Sequence, residues 1–223
     1  MLKSVLFDLD GTLVDQESAA AEAVVEWAAE YGVIGATVAA DWARVSDRHY
    51  SRYQRRELTF AEQRRARVRE FLAVDVSDSE ADEMFVGYVR RYEAGWSVFD
   101  DAVPALRAVR AAGLGVVVLT NGNRGHQQFK LQQLALADEI DELIAGESLP
   151  AGKPDPRAFR CALDQLGVSS DEVVMVGDSL EKDVRGAQAV GIEAVLVDRN
   201  GVHAEVGVPR VRSLGELPGL LRR

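Results

Sequence analysis

Two acidic residues two positions apart follow a short apolar run near the start of the chain. The run is Ser4–Phe7, and the acids are Asp8 and Asp10, with Gly11 after them. Residues two positions apart on an extended chain project to the same side, so both carboxylates can face one site. Paired carboxylates can hold a divalent cation, whose charge then reverses the local field. The pair is therefore a candidate for metal-assisted chemistry.

The same residues have other interpretations. An aspartate and a glycine between apolar residues are also typical of a β-hairpin turn. A calcium-binding loop is disfavoured, because the glycine comes too early and no acid occupies the twelfth position. The choice depends on what the rest of the chain offers.

A second polar group, Thr120-Asn121-Gly122, ends the apolar run Val116–Leu119. A hydroxyl and an amide at the carboxyl end of a strand are suitable donors for phosphate oxygens. An ordinary turn before a helix would use the same residues.

A third group, Gly152–Pro156, fixes a lysine at the start of a predicted helix. Pro154 favours an extended conformation for Lys153. Asp155 suits the N-cap of the helix, and Pro156 suits its first position. A lysine held in this way is more specific than an ordinary surface lysine, which remains the alternative.

A fourth group follows the apolar run Val173–Val176. Asp178 comes directly after Gly177, and Asp183 lies five residues further on. Both carboxylates could join the same site. Asp178 could equally serve only as the N-cap of the next helix.

Four apolar runs of strand length alternate with helical patterns along most of the chain. The runs are apolar at almost every position, as in strands buried on both faces of a parallel sheet, and a weaker fifth run covers Glu142–Ala145. Alternating strands and helices with right-handed crossovers predict a doubly wound, Rossmann-like α/β sheet. The four runs are Ser4–Phe7, Val116–Leu119, Val173–Val176 and Ala194–Val197, and the helical patterns are 103–112, 125–134, 156–166 and 181–190.

All four polar groups fall at the carboxyl ends of predicted strands or in the loops that follow them. This rim is where open α/β sheets bind ligands. Four unrelated turns at one edge would be an improbable coincidence, so we expect the groups to form one site.

Residues 16–95 interrupt the alternation of strands and helices. Their pattern is almost entirely helical, with apolar residues at helical spacing, and predicts an insertion of about four helices after the first strand. At the other end of the chain, the segment 206–223 is expected to finish in a short helix after Ser213.

The overall composition is that of an ordinary globular protein, with 47% hydrophobic and 28% charged residues. A formal charge of −10 argues against nucleic-acid binding. No stretch approaches the ~20 apolar residues that cross a bilayer, and the first apolar run is too short for a signal peptide. The single cysteine, Cys161, cannot form an internal disulfide, so the cytoplasm is the default expectation. A monomer or a homodimer is expected.

The motifs DLDGT, TNG, GKPDP and GDSLEKD, in this order and at this spacing, resemble those of the haloacid dehalogenase-like hydrolase superfamily. The resemblance is to the class that carries a helical cap after the first strand, and it covers essentially the whole chain. It implies a Rossmann-like catalytic core of residues 1–15 and 96–223 and a cap domain of residues 16–95. It also implies a phosphatase that acts on a small phosphorylated metabolite, such as a nucleotide or a sugar phosphate.

The resemblance implies roles for three aspartates. Asp8 would attack phosphorus to form an aspartyl-phosphate, and Asp10 would protonate the leaving oxygen and then activate water. The charge of Asp8 is expected to keep Asp10 partly protonated. Mg²⁺ would be held by Asp8, Asp178 and the backbone carbonyl of Asp10, with waters completing an octahedron.

Other residues would bind the phosphoryl group or support those that do. By the same resemblance, Lys153 would neutralise charge on Asp8 and the transferring group, and Asp183 would orient Lys153 or a metal-bound water. The phosphate-binding set would be Gly11, Thr120, Asn121 and Lys153.

The branch of the superfamily is indicated by one acid and by the positions of the lysines. True haloacid dehalogenases lack the acid at the position of Asp10, since no leaving alcohol needs a proton. Phosphonoacetaldehyde hydrolases and sugar phosphomutases use a cap lysine, and residues 16–95 contain none. A phosphatase is therefore favoured, while a 2-haloacid dehalogenase and a catalytically silent binding protein of this fold stay as alternatives. The lysines are Lys3, Lys130, Lys153 and Lys182.

The predicted cap is rich in arginine between residues 44 and 69. A solvated helix surface is one interpretation, and contact of one or two arginines with the non-reacting end of a substrate is another. Those that recur at about helical spacing are Arg44, Arg48, Arg52, Arg55 and Arg56, and the others are Arg64, Arg65, Arg67 and Arg69.

Overall fold

The computed structural model describes residues 1–203 and 207–221 and divides the chain into two units. The first unit contains Met1–Asp15 and Val98–Arg223, and the second contains Gln16–Ser97. The second unit ends at Ser97, and Val98, the next residue, forms a bridge with Val14 in the first unit. The predicted cap domain of residues 16–95 stays a prediction.

A parallel sheet forms the centre of the first unit. Its strands are β1 (Ser4–Phe7), β2 (Gly115–Thr120), β3 (Glu142–Ala145), β4 (Val173–Gly177), β5 (Glu193–Val197) and β6 (Arg210–Val211). They lie in the order β3-β2-β1-β4-β5-β6, and every neighbouring pair is parallel. The chain moves outward from β1 on both sides, so the ends of β1, β2 and β4 meet at the switch point where such sheets bind ligands. The predicted doubly wound α/β fold is confirmed.

The strands are apolar at almost every position because both faces of the sheet are covered. In β1, Val5 and Phe7 belong to one buried apolar cluster, and Leu6 belongs to the cluster on the opposite face. All three side chains are fully buried. This central strand therefore positions the polar loop that follows it on a rigid base.

The second unit consists of four helices: α1 (Gln16–Ala29), α2 (Val38–Gln54), α3 (Phe60–Leu72) and α4 (Asp78–Ala94). Two of them begin with a capping box, in which a hydroxyl and a glutamate satisfy backbone N–H groups of the first turn. The pairs are Thr59 with Glu62 and Ser77 with Glu80. Aromatic rings fill the core, where the centroids of Trp27 and Trp42 lie 5.2 Å apart.

The remaining helices belong to the first unit and are α5 (Ala102–Ala111), α6 (Arg124–Gln133), α7 (Pro156–Leu166), α8 (Gly186–Gln188) and α9 (Leu217–Leu220). Helix α7 begins as predicted, because the Asp155 carboxylate accepts a hydrogen bond from the Arg157 N–H and Pro156 fills the first turn. It ends at Gly167, which adopts a left-handed conformation with φ of +64°. Helix α9 follows Ser213, as expected.

The prediction of a regular α-helix over residues 181–190 is wrong. Leu180–Arg185 is π-helical, and only Gly186–Gln188 is α-helical. The N–H of Val184 donates to the Ser179 carbonyl, five residues earlier, and the Ser179 N–H donates to the Asp183 carboxylate at 3.0 Å. The wide turn therefore directs Asp183 back towards the end of β4.

Strand β6 was not predicted from the sequence. This edge strand has two residues, Arg210 and Val211, and is too short to produce a periodic pattern. Its pairing with β5 is non-local, with Leu196 opposite Arg210. None of the described helices is long and apolar enough to cross a lipid bilayer.

Candidate active site

The loop after β1 turns sharply and holds Asp8 at the end of the strand. The Asp8 N–H still donates to the Val176 carbonyl of β4, at 2.9 Å, so its backbone is fixed by the sheet. The turn is closed by hydrogen bonds from the N–H groups of Leu13 and Val14 to the Leu9 carbonyl. The hairpin alternative is excluded, because β1 pairs only with parallel strands among the described residues.

Lys153 is buried and donates three hydrogen bonds through its ammonium group. The acceptors are Asp8 Oδ1 at 2.7 Å, Asp183 Oδ1 at 2.6 Å and the Leu119 carbonyl at 2.7 Å. An ammonium has three donors, so this set accounts for all of them. Burial alone would lower the pKa of Lys153, but the charges of Asp183 and Asp8 outweigh it and raise the pKa. Lys153 is thus a fixed positive charge beside Asp8.

The backbone of Lys153 is held by the side chain of Asn121. The Asn121 amide donates to the Lys153 carbonyl at 2.8 Å, and its oxygen accepts from the Lys153 N–H at 2.6 Å. The assignment of Asn121 to the phosphate-binding set stays a prediction. Its side chain fixes the backbone of Lys153, a role that the motif alone did not predict.

Three carboxylates meet beside this lysine. Oxygen atoms of Asp8, Asp178 and Asp183 all lie within 4.8 Å of one another. Asp178 is held by Thr12, whose hydroxyl donates to Asp178 Oδ1 at 3.2 Å and accepts from the Asp178 N–H at 3.0 Å. Burial, followed by the charge of Asp183, raises the pKa of Asp178 to about 6. Burial also raises the pKa of Asp8 well above its ordinary value, although Lys153 opposes the shift.

Two glycines allow these carboxylates to approach the backbone. A Cβ atom on Gly11 would lie 2.4 Å from Asp178 Oδ2, and the residue has a φ of +92°. A Cβ atom on Gly177 would lie 2.3 Å from Asp183 Oδ2. The Gly11 N–H donates to the Val14 carbonyl at 2.8 Å, so the turn accounts for this glycine, and its predicted contact with phosphate stays a prediction.

The chemistry of this donor set fits a divalent cation. Oxygen ligands suit Mg²⁺, and the cluster supplies carboxylates from three sequence positions. With all groups ionised, three carboxylates and the Lys153 ammonium leave a surplus of two negative charges. Burial, reinforced by the charges of the neighbouring carboxylates, raises the pKa values of Asp8 and Asp178, and a bound cation would favour their ionised forms.

The Asp10 carboxylate is directed away from the cluster. Its Oδ1 forms a short ion pair with the buried Lys130 ammonium, and its Oδ2 accepts a hydrogen bond of 2.7 Å from the Gln127 amide. Burial alone would raise the pKa of Asp10, but the charge and hydrogen bond of Lys130 outweigh it and lower the pKa. The expectation that Asp8 keeps Asp10 partly protonated is therefore wrong, because Lys130 lowers the pKa of Asp10.

Thr120 is linked to Asp10 through Gln127. The same Gln127 amide nitrogen lies 2.9 Å from Thr120 Oγ1, which also accepts from the Gly122 N–H at 3.2 Å. A hydroxyl has two acceptor sites and one donor. Because both acceptor sites are used, the Thr120 hydrogen is directed to a further acceptor, as a phosphate oxygen would be.

Sequence reasoning missed Lys130 and Gln127. Both lie on α6 and are buried, with exposures of 1% and 2%. A signal was present, because they stand three residues apart on the helix that follows the Thr120 motif and therefore share one face. Lysine is almost never fully buried without a partner. A lysine on the buried side of a helix therefore predicts a nearby carboxylate.

Comparison with known proteins assigns the chain to a family. The model of the haloacid dehalogenase-like hydrolases matches residues 2–191. The phosphoglycolate phosphatase of Rhodospirillum rubrum is 34% identical over 201 residues, which are 88% of this chain and 80% of that protein. The phosphoserine phosphatase of Thermus thermophilus is 41% identical over 120 residues, or 54% of this chain and 47% of that protein. The (S)-2-haloacid dehalogenase 1 of Pseudomonas sp. is 35% identical over 131 residues, 57% of each chain.

Solved structures agree on the fold. The crystal structure of the HAD-hydrolase YfnB from Bacillus subtilis, bound to magnesium, superposes with a TM-score of 0.85 at 20% identity, covering 100% of this chain and 99% of that one. The chain belongs to the haloacid dehalogenase-like hydrolases, and the family expected from the motifs is confirmed.

Proposed function

We propose that the chain is a magnesium-dependent phosphatase that hydrolyses a small phosphate monoester through an aspartyl-phosphate on Asp8. The observation that carries the proposal is the Asp8 carboxylate itself. One of its oxygens is fixed by Lys153 at 2.7 Å, and it lies in one cluster with the carboxylates of Asp178 and Asp183. Assignment to the phosphoric monoester hydrolases is further supported by the relatives of near-full length that are named phosphatases.

Each polar group has a task in such a transfer. Lys153 holds Asp8 in place and offsets the charge that gathers on the phosphoryl oxygens as Asp8 attacks. The Thr120 hydroxyl donates to one of those oxygens. Since phosphoryl transfer depends mostly on positioning and electrostatics, a rigid set of donors at the end of a buried strand suits it.

Asp10 is the proposed proton carrier. It would protonate the leaving oxygen of the ester and later take a proton from the water that attacks the aspartyl-phosphate. The Lys130 contact favours the ionised form, which is the form that the second step needs. A phosphate dianion bound beside Asp10 opposes its ionisation and favours the protonated form needed by the first step.

Magnesium, held by Asp8, Asp178 and the Asp10 carbonyl, would supply positive charge to the phosphoryl oxygens and offset the surplus charge of the carboxylates. Asp183, which bonds both Lys153 and the Ser179 N–H, is proposed to keep the lysine directed at Asp8.

The test is phosphate release from p-nitrophenyl phosphate with and without Mg²⁺. Activity should need the metal and should disappear in Asp8→Asn, which removes the nucleophile without changing its size. Asp164→Asn, the same chemical change at an exposed position of α7, is the matched control and should keep full activity. Metal-independent turnover, or an active Asp8→Asn enzyme, would overturn the proposal. A panel of 2-phosphoglycolate, sugar phosphates and nucleoside monophosphates then identifies the substrate.

A 2-haloacid dehalogenase is the second candidate, because a relative of that name is 35% identical over part of the chain. The Asp10 site, with its own buried lysine, speaks against it, since halide departs without a proton. Halide release from 2-chloropropionate, without phosphatase activity, would establish the dehalogenase instead.

A further inference from the structure

Arg199 joins three separate segments of the first unit. It lies in the loop after β5, and its side chain is largely buried, with an exposure of 21%. Its Nη1 and Nη2 groups donate to the two carboxylate oxygens of Asp101, at 2.8 and 2.9 Å. The Nη2 group also donates to the Thr12 carbonyl at 2.9 Å. The guanidinium therefore connects the segment before α5 to the loop that follows β1.

Asp101 and an aromatic ring fix the position of this guanidinium. Asp101 Oδ2 also accepts hydrogen bonds from the Ser213 hydroxyl at 2.7 Å and from the Leu214 N–H at 3.0 Å. Burial would raise the pKa of Asp101, but the hydrogen bonds of Arg199 and Ser213 outweigh it and lower the pKa. The Arg199 Cζ lies 3.8 Å from the Phe99 ring centroid. The guanidinium is therefore held by an ionised carboxylate and by the face of a ring.

The carbonyl that Arg199 contacts belongs to a buried peptide unit. Thr12 is completely buried, so its carbonyl has no access to water. At the other end of the same peptide unit, the Leu13 N–H donates to the Leu9 carbonyl at 2.9 Å. Because a peptide unit is planar, these two hydrogen bonds together fix its orientation. Without Arg199, the Thr12 carbonyl would lose this donor, and a buried carbonyl without a donor favours a rotated peptide.

The hydroxyl of Thr12 connects this peptide unit to the carboxylate cluster. It donates to Asp178 Oδ1 at 3.2 Å and accepts from the Asp178 N–H at 3.0 Å. Because the Thr12 side chain and carbonyl share one Cα atom, a shift of the carbonyl also displaces the hydroxyl. The contacts from Asp101 to Asp178 thus run through Arg199 and through two oxygen atoms of Thr12.

We propose that Arg199 is a positioning residue of the cation site, which acts through Thr12 to keep the Asp178 carboxylate directed at the metal. The carboxylate that Arg199 pairs with is Asp101 rather than a member of the cluster, so its effect is indirect. Residues that orient metal ligands change the metal affinity by a factor of about 10 to 100 when they are replaced. The inference rests on the proposed function for the identity of the metal.

Direct binding of Mg²⁺ tests the inference without relying on turnover. Isothermal titration is carried out on the metal-free protein as wild type, Arg199→Met, Thr12→Val and the double variant. Thr12→Val removes the hydroxyl but keeps the carbonyl and the shape of the side chain. Each single change should raise the dissociation constant of Mg²⁺ about tenfold. An unchanged dissociation constant in Arg199→Met overturns the inference.

The double variant separates positioning through Thr12 from a general effect on the fold. Once the hydroxyl is absent, Arg199 has no group to direct at Asp178. The double variant should therefore bind Mg²⁺ about as well as Thr12→Val alone. Losses that multiply to about a hundredfold would show two independent effects and would overturn the inference.

Arg210→Met is the matched control for stability. Arg210 lies on β6, and its Nη1 group donates to the buried Asp198 carboxylate at 2.8 Å, so this change also breaks a partly buried ion pair. It should lower the melting temperature, as Arg199→Met does, and leave the dissociation constant of Mg²⁺ unchanged. Equal weakening of Mg²⁺ binding in both variants would assign Arg199 to general stability and overturn the inference.

Asp101→Asn replaces Arg199→Met in the same titrations if the arginine variant does not fold. It keeps an oxygen for the Ser213 hydroxyl and the Leu214 N–H but removes the charge that fixes the guanidinium. The dissociation constant of Mg²⁺ should rise, and the rise should disappear when Thr12→Val is already present. A dissociation constant equal to that of the wild type would overturn the inference.

The outcomes for this inference and for the proposed function can be distinguished. A wild type that binds Mg²⁺ but releases no phosphate overturns the proposed function, and the inference stands if the variants weaken binding as expected. Magnesium-dependent phosphate release with an unchanged Mg²⁺ affinity in Arg199→Met overturns the inference alone. A wild type that does not bind Mg²⁺ overturns both.

Discussion

The ammonium of Lys153 lies 2.6 Å from Asp183 Oδ1, and both side chains are almost completely buried. Asp183 shares this lysine with Asp8, which lies near the start of the chain. Lys153 therefore supplies the counter-charge for two buried carboxylates and holds Asp8 in place with the same ammonium group.

Replacing the lysine should cost both stability and activity. Lys153→Met leaves the carboxylates of Asp8 and Asp183 buried without their cation, a change that typically costs about 3–5 kcal/mol. Urea unfolding in EDTA measures the loss, and phosphate release measures the activity. Lys182→Met, on the neighbouring π-helical segment, is the control and should change neither by much. A Lys153→Met protein as stable as the wild type would contradict the ion pair.

Magnesium should stabilise the protein through the carboxylate cluster. A ligand that binds only the folded state at a hundred times its dissociation constant adds about 2.7 kcal/mol. We expect the melting temperature to rise with Mg²⁺ concentration in the wild type and not in Asp178→Asn. An equal rise in both proteins would place the metal elsewhere.

Without metal, Asp178 should make stability depend on pH. Its pKa is raised from 3.8 to about 6, so the folded protein binds this proton more tightly than the unfolded chain does. The stabilising contribution is complete below the unfolded pKa and is lost as the pH rises through the folded pKa. In EDTA, Asp178→Asn should therefore gain stability relative to the wild type between pH values of about 4 and 7. A difference that stays constant over this range, or falls, would contradict a raised pKa of Asp178 in the folded protein.

Removing Lys130 should affect esters according to their leaving groups. Lys130→Met frees the Asp10 carboxylate from its ion pair, and a misplaced general acid can cost a factor of about 10² or more. An alkoxide leaving group needs the proton, whereas nitrophenolate hardly does. The fall in kcat/KM should therefore be much larger for 2-phosphoglycolate than for p-nitrophenyl phosphate. Equal losses on both esters would assign Lys130 to packing alone.

Much of the core could be predicted because its signals are local. Buried strands such as Ser4–Phe7 are continuous apolar runs. Polar residues end three of these strands or follow them directly, so parallel pairing alone brings Asp8, Thr120 and Asp178 to one rim. The end of α7 could also be predicted, because Gly167 follows the helix and adopts the left-handed conformation typical of a C-cap.

The parts that could not be predicted depend on contacts between distant residues. Lys130 and Asp10 are 120 positions apart, and the lowered pKa of Asp10 follows from that contact rather than from its neighbour Asp8. The π-helical turn forms because the Asp183 carboxylate bonds the Ser179 N–H, a choice that helix periodicity does not express.

The three acceptors of Lys153 have a consequence for biosynthesis. Asp8 leaves the ribosome 145 positions before Lys153, and Asp183 follows another 30 positions after that lysine. Nascent chains that stop before Lys153 therefore carry Asp8 without its cation, and chains that stop before Asp183 lack one of the three acceptors of that lysine. Under the proposed function, activity therefore requires that synthesis has passed β4 and that this strand has joined the sheet.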